Sequence, residues 1–323
     1  MARSRSKAVA AQGNGPDLSG WARRPGDRQF VEALARGLEV LRAFKPNDGV
    51  LGNLEISERT NLPRPTVTRL TYTLTKLGYL TYLERLGRYK LAPGALSIGY
   101  AAMANFRIRE VARPLMQAMA DEAKASVALG GPDRLSMVYI SHLRSSSRVG
   151  VRLEVGSRIP MATSAMGRAY LAALPDAERA PICELIEARS GEDWPRVRDG
   201  IERGREQIAR WGFTISVGEW QDDINGVGVP FVPQDGSGVL AFNCGAPAFM
   251  LAPARLQHEI GPHMVDMVRS VETRLAGGDD DFGVRRYKNP VFAGGDLGGE
   301  REDGERKGQR PKTAGRRERP NGS

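Results

Sequence analysis

Residues 30–91 contain, in order, the sequence patterns of helices, a tight turn and a β-hairpin. This order restricts the folds that this part of the chain can adopt. Apolar side chains recur at three- and four-residue spacings from Phe30 to Phe44, which predicts an amphipathic helix. A turn signal, Pro46–Gly49, separates it from a short helical segment, Leu54–Thr60, with Asn53 at the N-cap. A pair of consecutive helices is therefore expected before the next break in the pattern.

A third helix is predicted from about residue 64 to residue 77. Asn61-Leu62-Pro63 breaks the pattern before it, and Gly78 ends it. Two β-prone runs follow, Tyr79–Leu83 and Arg88–Leu91, and the loop between them contains a glycine, which is typical of a hairpin. Helix, short helix, tight turn, helix and hairpin together predict a winged helix-turn-helix.

The third helix has a polar face that is the candidate surface for DNA. At about 100° per residue, Val67, Leu70 and Leu74 share the opposite, apolar side. Residues near the start of such a helix usually reach base edges, and residues one or two turns later meet sugar and phosphate. The alternative is an ordinary solvated face of a helical bundle. The candidate DNA-binding residues are Arg64, Pro65, Thr66, Thr68, Arg69, Tyr72 and Lys76 on the helix, and Arg85 and Arg88 in the hairpin.

The distribution of charge also favours a polyanionic partner for this region. The chain of 323 residues carries 47 Lys and Arg against 38 Asp and Glu, a net charge of +9. Residues 1–92 hold 16 of the basic residues and only 8 of the acidic ones. The excess positive charge thus lies almost entirely in the N-terminal part, as expected for a DNA-binding domain joined to a neutral one.

A family resemblance supports this interpretation. The segments Ala35–Leu41, Leu54–Leu70, Leu77–Leu80 and Arg88–Leu91 resemble the DNA-binding domain of the isocitrate-lyase-regulator (IclR) family. The resemblance continues beyond the hairpin and extends from about residue 30 to residue 275. We therefore expect a transcription regulator. A homodimer or homotetramer would bind double-stranded DNA at a palindromic operator, because two-fold symmetry in the protein requires paired half-sites.

Beyond the hairpin, helical patterns alternate with short apolar runs, which predicts an α+β domain. A linker helix and a first domain helix are expected within Pro93–Ala125. The predicted strands are Ser136–Ile140, Val149–Leu153, Gly226–Phe231 and Gly238–Asn243, and the predicted helices are Ala165–Leu174, Ala177–Ala188, Val197–Trp211 and Pro253–Leu275. The expected division is a disordered basic tail (1–27), the winged helix-turn-helix (28–92), the linker helix (93–106), a GAF-like effector-binding domain (107–276) and a disordered tail rich in Gly, Arg and Glu (277–323).

In the resembled family the second domain binds an effector in a pocket, and the matching stretches here are 161–172, 211–216 and 225–230. Free N–H groups at the start of the helix at Ala165 would favour a carboxylate, so a small organic acid is the expected ligand. Phe242 and Cys244 replace small hydroxyl residues, which leaves room for a larger or aromatic acid. Core packing is the alternative role for each position. The candidate effector-binding residues are Ala165, Met166, Gly167, Ser216, Glu219, Ile224, Gly226, Phe242 and Cys244.

No pattern in the sequence predicts a metal site, a cofactor or a catalytic centre. His258 and His263 are five residues apart, so a helix does not place them on one face as zinc proteases require. No nucleophile elbow, Walker loop or dinucleotide fingerprint is present. His142, alone between strands, is typical of a structural histidine with its hydrogen bonds satisfied. Two other classes stay open: a constitutive DNA-binding oligomer, and an enzyme whose basic domain only tethers it.

The remaining composition favours the cytoplasm. Two cysteines, Cys183 and Cys244, build no disulfide framework, as is usual in a reducing compartment. No apolar run approaches the ~18 residues that cross a bilayer, and the N-terminus has no apolar signal core, so neither membrane insertion nor secretion is expected.

Overall fold

The computed structural model describes residues 28–46, 48–145, 153–234, 236 and 238–277, so both predicted tails lie outside the described residues. The first domain follows the predicted order of elements and ends in an antiparallel hairpin in which Leu80 pairs with Leu91. Val40, Ile56 and Val67 from the three helices meet in its core. Its elements are α1 (Glu32–Arg42), α2 (Asn53–Thr60), α3 (Arg64–Lys76), β1 (Leu80–Leu83) and β2 (Arg88–Leu91).

The start of α2 differs by one residue from the prediction. Gly52, not Asn53, occupies the N-cap, and its N–H donates to the Glu55 carboxylate over 2.7 Å. At the other end, Asn61 adopts φ 52° in the left-handed region, which asparagine tolerates better than most residues. This residue makes the tight turn that directs the chain into α3.

Two helices connect the winged helix-turn-helix to the second domain. α4 (Pro93–Ala104) has no buried residue, whereas α5 (Arg107–Ala123) buries Met116, Met119 and Ala120 against the sheet of the second domain. α4 is therefore a linker helix, and the rest of the described chain buries none of its residues.

The second domain contains a six-stranded antiparallel sheet with the order β5-β4-β3-β8-β7-β6. Its strands are β3 (Ser126–Asp133), β4 (Ser136–Arg144), β5 (Arg158–Pro160), β6 (Thr214–Val217), β7 (Ile224–Phe231) and β8 (Leu240–Pro247). The fold is α+β, with an N-terminal helix-turn-helix and a C-terminal sheet domain, as predicted.

Helices cover both faces of this sheet and create two apolar cores. On one face, α5 packs with α9 (Pro253–Arg255), a π-helical turn (Leu256–Ile260) and α10 (Gly261–Ala276). On the other face lie α6 (Ala165–Ala173), α7 (Asp176–Ser190) and α8 (Trp194–Trp211). Since strand side chains alternate between faces, neighbouring residues of one strand belong to different cores.

The structure departs from the sequence-based predictions at several elements, and β5 is one strand that the sequence patterns did not predict. β3 was missed because Gly130, Gly131 and Pro132 resemble a loop, yet a Cβ at Gly130 would stand 2.5 Å from the Met166 Sδ in the packed core. The single helix predicted over 253–275 is interrupted by the π-helical turn before Pro262, which lacks the N–H that a regular helix needs there. The strand predicted at Val149–Leu153 lies outside the described residues except for its last residue.

Candidate DNA interface and effector cavity

The polar face of α3 is exposed as the periodicity predicts. Arg64, Thr68 and Arg69 are exposed in its first two turns, and Val67 points into the core. Arg64 and Arg69 make no ion pair within the described part of the chain, so their guanidinium groups are available to an outside partner. Pro65 is exposed beside them in the first turn, and Thr66 is half-buried.

Further along α3, Tyr72 and Lys76 form a second polar group. The Lys76 Nζ lies 5.5 Å from the centroid of the Tyr72 ring, and the Tyr72 side chain is 63% exposed. A cation held over an aromatic ring at the surface keeps its charge directed outward. This pair thus presents an ammonium and a phenol two turns from the start of the helix, where phosphate contacts are expected.

Asn53 lies beside this face, although the sequence pattern predicted only a capping role for it. The Asn53 Nδ2 donates to the Thr68 Oγ1 over 3.1 Å, and the Thr68 hydroxyl donates to the Arg64 carbonyl over 3.0 Å. The buried Oδ1 of Asn53 has no hydrogen-bond partner among the described residues. An amide with a free acceptor next to the recognition helix is a polar group that helix periodicity alone does not reveal.

The two hairpin candidates differ in their surroundings. Arg85 is exposed in the turn between β1 and β2. Arg88 is paired with Glu55, with 3.1 Å between Nη1 and Oε2. The pKa of Glu55 is lowered, first by its hydrogen bond from the Gly52 N–H and then by the charge of Arg88. Any phosphate that binds Arg88 would have to compete with this carboxylate.

In the second domain, a cavity of about 30 Å³ lies between the sheet and the start of α6. Four of the nine predicted effector-binding residues line it. They are Ala165, Ser216, Ile224 and Gly226. The other lining residues are Ser126, Tyr139, His142, Leu153, Ile159, Ser164, Trp220, Asn225, Asn243 and Gly245. Because this volume is that of about one water molecule, a larger ligand has to displace lining side chains.

The first turn of α6 borders this cavity. Ser164 caps the helix: its Oγ accepts from the Gly167 N–H over 3.1 Å and donates to the Pro160 carbonyl over 2.6 Å. Ser216 fixes the preceding residue, since its hydroxyl donates to the Thr163 carbonyl over 2.9 Å. Helix geometry leaves the N–H groups of the first turn without intrahelical acceptors, and the helix dipole adds positive potential there.

Two buried polar atoms of the cavity residues lack hydrogen-bond partners within the described chain. They are the Nε2 of His142 and the Oδ1 of Asn243. The Nδ2 of Asn243 donates to the Tyr139 hydroxyl over 3.3 Å, which orients its amide. The expectation that His142 is a satisfied structural histidine is wrong for its Nε2. Unpaired buried polar atoms are rare, and at the lining of a cavity they mark positions where a water molecule or a polar ligand group can form a hydrogen bond.

Burial lowers the pKa of His142, and the positive charge of Arg144 adds to this effect. As the pH falls below the ordinary histidine value of 6.5, the unfolded chain binds a proton that the folded chain resists, so folded-state stability falls with the pH. We expect His142→Gln to flatten this pH dependence in urea unfolding followed by circular dichroism. His258→Gln, at an exposed histidine, serves as the control. Equal slopes for His142→Gln and the wild type would contradict the assignment.

Three further predicted effector residues lie near the cavity without lining it. Met166 is buried under the sheet, and Gly167 fits against Met161, whose carbonyl would stand 2.1 Å from an added Cβ. Glu219 instead pairs with two arginines. The Arg168 Nη atoms lie 2.7 and 2.5 Å from its carboxylate oxygens, and the Arg203 Nη2 lies 3.1 Å away.

This ion pair fixes the loop that carries Trp220 over the cavity. Arg168 is only 2% exposed, and Gly200 and Gly204 of α8 leave the space that its side chain fills. Burial acts to raise the pKa of Glu219, but the hydrogen bond and charge of Arg168 outweigh it and the pKa is lowered. Glu219 is therefore held as a carboxylate that ties the β6–β7 loop to α6.

Phe242 and Cys244 do not reach the cavity. Both are fully buried in the core on the other face of the sheet, against α5 and α10. The pleat of β8 places their neighbours Asn243 and Gly245 on the cavity face instead, so the prediction was one residue out of register. Burial also raises the pKa of the Cys244 thiol to about 12, which removes it as a redox sensor.

No group of three or more His, Cys, Asp or Glu side chains converges as metal ligands within residues 28–277, apart from the short gaps in the described chain. None of the helices in the same residues has the length and apolarity that a membrane crossing requires.

Comparison with known proteins identifies both domains. Residues 33–84 match the IclR helix-turn-helix domain, and residues 100–272 match the bacterial transcriptional regulator IclR C-terminal domain. The HTH-type transcriptional regulator TsaQ1/TsaQ2 of Comamonas testosteroni is 30% identical over 248 residues, which cover 76% of this chain and 89% of that protein.

Solved structures agree with this assignment. An IclR family transcriptional regulator from Brucella abortus is 48% identical, covers 78% of this chain and 95% of its own, and superposes with a TM-score of 0.72. An IclR homologue from Microbacterium hydrocarbonoxydans in complex with 4-hydroxybenzoate shares the fold at 22% identity, with 76% of this chain and 100% of that chain covered and a TM-score of 0.56. The chain therefore belongs to the IclR family of DNA-binding bacterial transcriptional regulators.

Proposed function

We propose that this regulator binds a palindromic operator through α3 and the hairpin, and that a small organic acid in the α6 cavity modulates its operator affinity. The observation that carries the proposal is the cavity itself. It joins the positive end of a helix dipole to two buried polar atoms, on His142 and Asn243, that lack partners among the described residues.

The cavity chemistry favours an acid with a second polar group. A carboxylate suits the first turn of α6, whose N–H groups and dipole attract an anion. The Oδ1 of Asn243 is an acceptor, so the ligand group that meets it has to donate a hydrogen bond, as a hydroxyl does. The Microbacterium homologue was crystallised with 4-hydroxybenzoate, a hydroxylated acid. Since Phe242 lies on the other face of the sheet, it places no restriction on the size of the ligand.

We assign contacts with base edges to residues in the first turns of α3, and contacts with phosphates to residues in its later part. Arg64, Thr66, Thr68 and Arg69 stand where base edges are reached in the major groove, with Pro65 packed beside them. Tyr72, Lys76 and Arg85 are placed to meet the backbone. Arg88 would take part only after it leaves Glu55. A regulator of this kind acts on chromosomal DNA, so we infer that the protein is cytoplasmic. We assign it no enzymatic activity.

Exposed apolar side chains on α4 support a homodimer. Leu96 is 74% exposed, Ile98 56% and Tyr100 70%, and none of the twelve residues of this helix is buried. Leu96 and Tyr100 are four residues apart and so share one side of the helix. A second copy of α4 related by a two-fold axis would cover this side and would bring two winged helices to paired half-sites.

We expect Leu96→Glu to weaken the dimer by at least about tenfold, since it places a carboxylate where burial of one leucine contributes about 2 kcal/mol. Sedimentation equilibrium over a dilution series measures this change. Phe249→Glu is the matched control, because Phe249 is an exposed apolar residue outside α4. A Leu96→Glu variant that dissociates at the same concentration as the wild type would remove α4 from the interface.

The experiment that tests the function is fluorescence anisotropy with the upstream intergenic duplex of the gene and a scrambled duplex, at physiological salt. Aliphatic and aromatic acids, each with and without a hydroxyl, are added in turn. We expect selective binding to the intergenic duplex and a shift in affinity with one hydroxy acid.

Two other outcomes would contradict the proposal. Selective binding that no acid shifts would favour a constitutive DNA-binding oligomer. Equal, weak and salt-sensitive binding to both duplexes would leave only a basic surface, and the enzyme alternative would then be tested by turnover.

A further inference from the structure

Five charged side chains join the winged helix-turn-helix to the effector domain of the same chain. Glu39 and Arg42 come from α1, Asp133 from the end of β3, Arg134 from the β3–β4 turn, and Arg158 from β5. We call this group the interdomain clasp. Since partners such as Arg42 and Asp133 are 91 residues apart in sequence, their contacts exist only while the two domains keep this orientation.

Asp133 is the centre of the clasp. The Arg42 Nη2 donates to both of its carboxylate oxygens, over 2.7 and 2.8 Å, and the Arg158 Nε donates to its Oδ2 over 2.8 Å. Beside this group, Glu39 accepts from the Nη1 of Arg134 over 3.1 Å and lies 3.6 Å from the Arg42 Nε. A single carboxylate on one domain thus holds an arginine from each domain.

Burial distinguishes the clasp from ordinary surface ion pairs. Glu39 is only 2% exposed, and the Asp133 side chain is 20% exposed. Exposed pairs contribute little, but a buried carboxylate that loses its partners is strongly destabilised. Arg134 also holds φ 58°, an unusual conformation for a residue other than glycine, which directs the β3–β4 turn toward α1. The contact is therefore specific for one arrangement of the domains.

The same strand that contributes Arg158 also lines the cavity. Ile159 is a cavity residue and pairs with Met137 of β4. The Tyr139 N–H donates to the Ser157 carbonyl over 3.0 Å, so a second cavity residue is bonded to the chain that enters β5. β5 has three residues and lies at the edge of the sheet, where a strand is held on one side only.

We propose that the interdomain clasp couples the effector cavity to the winged helix-turn-helix. A ligand that displaces Ile159 also moves the adjacent Arg158. This movement changes the ion pair between Arg158 and Asp133, and through it the ion pair between Asp133 and Arg42 of α1. By linkage, DNA bound to the winged helix alters the cavity strands through the same side chains. The inference rests on the proposed function, because it assumes that a ligand binds in the cavity and that DNA binds to the winged helix-turn-helix.

Hydrogen exchange on the full chain tests the coupling, with the upstream intergenic duplex as the probe. Asp133→Asn keeps the size of the side chain but removes its charge. Asp121→Asn is the matched control, because Asp121 is exposed on α5 and bonds only to Gln117 within the described residues. In the wild type and the control, we expect the duplex to change the exchange rate of residues 157–159 by about fivefold or more.

In Asp133→Asn, the duplex should still bind but leave the exchange of residues 157–159 unchanged. A full exchange response in this variant, or none in the wild type with the duplex bound, would overturn the inference. If the wild type does not bind the duplex selectively, the proposed function fails, and a measurement without DNA still tests the clasp. Asp133→Asn should then speed exchange of residues 39–42 on α1, and unchanged exchange there would overturn the clasp.

Discussion

Glu219→Ala is expected to lower the free energy of unfolding of the effector domain by about 3 kcal/mol, because it leaves the buried Arg168 without its carboxylate. The guanidinium of Arg168 keeps a hydrogen bond from its Nε to the Ala162 carbonyl, over 3.1 Å, but its charge stays in a nearly dry site. Urea unfolding followed by tryptophan fluorescence and circular dichroism measures the loss.

Arg203→Ala provides the matched comparison, since Arg203 pairs with the same carboxylate but its side chain is 53% exposed. Exposed ion pairs contribute about 0–1 kcal/mol, so this variant should lie within that range of the wild type. If the two substitutions had equal effects, burial of Arg168 would not be the source of the stabilisation. The pair would then not be what fixes the Trp220 loop over the cavity.

Arg69→Ala is expected to reduce the preference for operator over random DNA by about tenfold to a hundredfold. One good arginine–base contact contributes about 1–3 kcal/mol of discrimination, and Arg69 is exposed on α3 with no ion pair in the described residues. Anisotropy titrations with the intergenic and scrambled duplexes at one salt concentration give the ratio directly.

Lys76→Ala separates bulk charge from base reading. Its ammonium lies over the Tyr72 ring two turns along the helix, where phosphate contacts are expected. This variant should weaken binding to both duplexes alike and reduce the slope of log affinity against log salt by about one. Equal losses on both duplexes from Arg69→Ala would remove the base-reading role of Arg69 and leave it as another phosphate contact.

Local pattern predicted the DNA-binding half with little error. Helix spacing identified α1, α2 and α3, and the polar face of α3 is exposed where the spacing puts it. The correction at Gly52 shifts one helix start by a single residue. These features follow from short-range periodicity and from turn residues, and both can be identified directly in the sequence.

The cavity was predicted less completely, because its lining depends on strand register. Ala165, at the start of α6, came from the family resemblance and does line the cavity, whereas Met166 and Gly167 beside it do not. Asn243 was missed in favour of Cys244, since the face of a strand changes with every residue. β3 was missed altogether because its glycines resemble a loop, whereas the close packing of Met166 against Gly130 is visible only in the packed core.

Residues close together in the chain are enough to identify the family, the order of elements and the polar, exposed side of α3. The polar atoms that face the cavity and the junction between the domains depend instead on contacts between distant segments. Arg168 and Glu219 are 51 residues apart, and Glu39 and Arg134 are 95 apart. Such pairs are set by the packing of distant elements, and no periodicity in either segment encodes its partner.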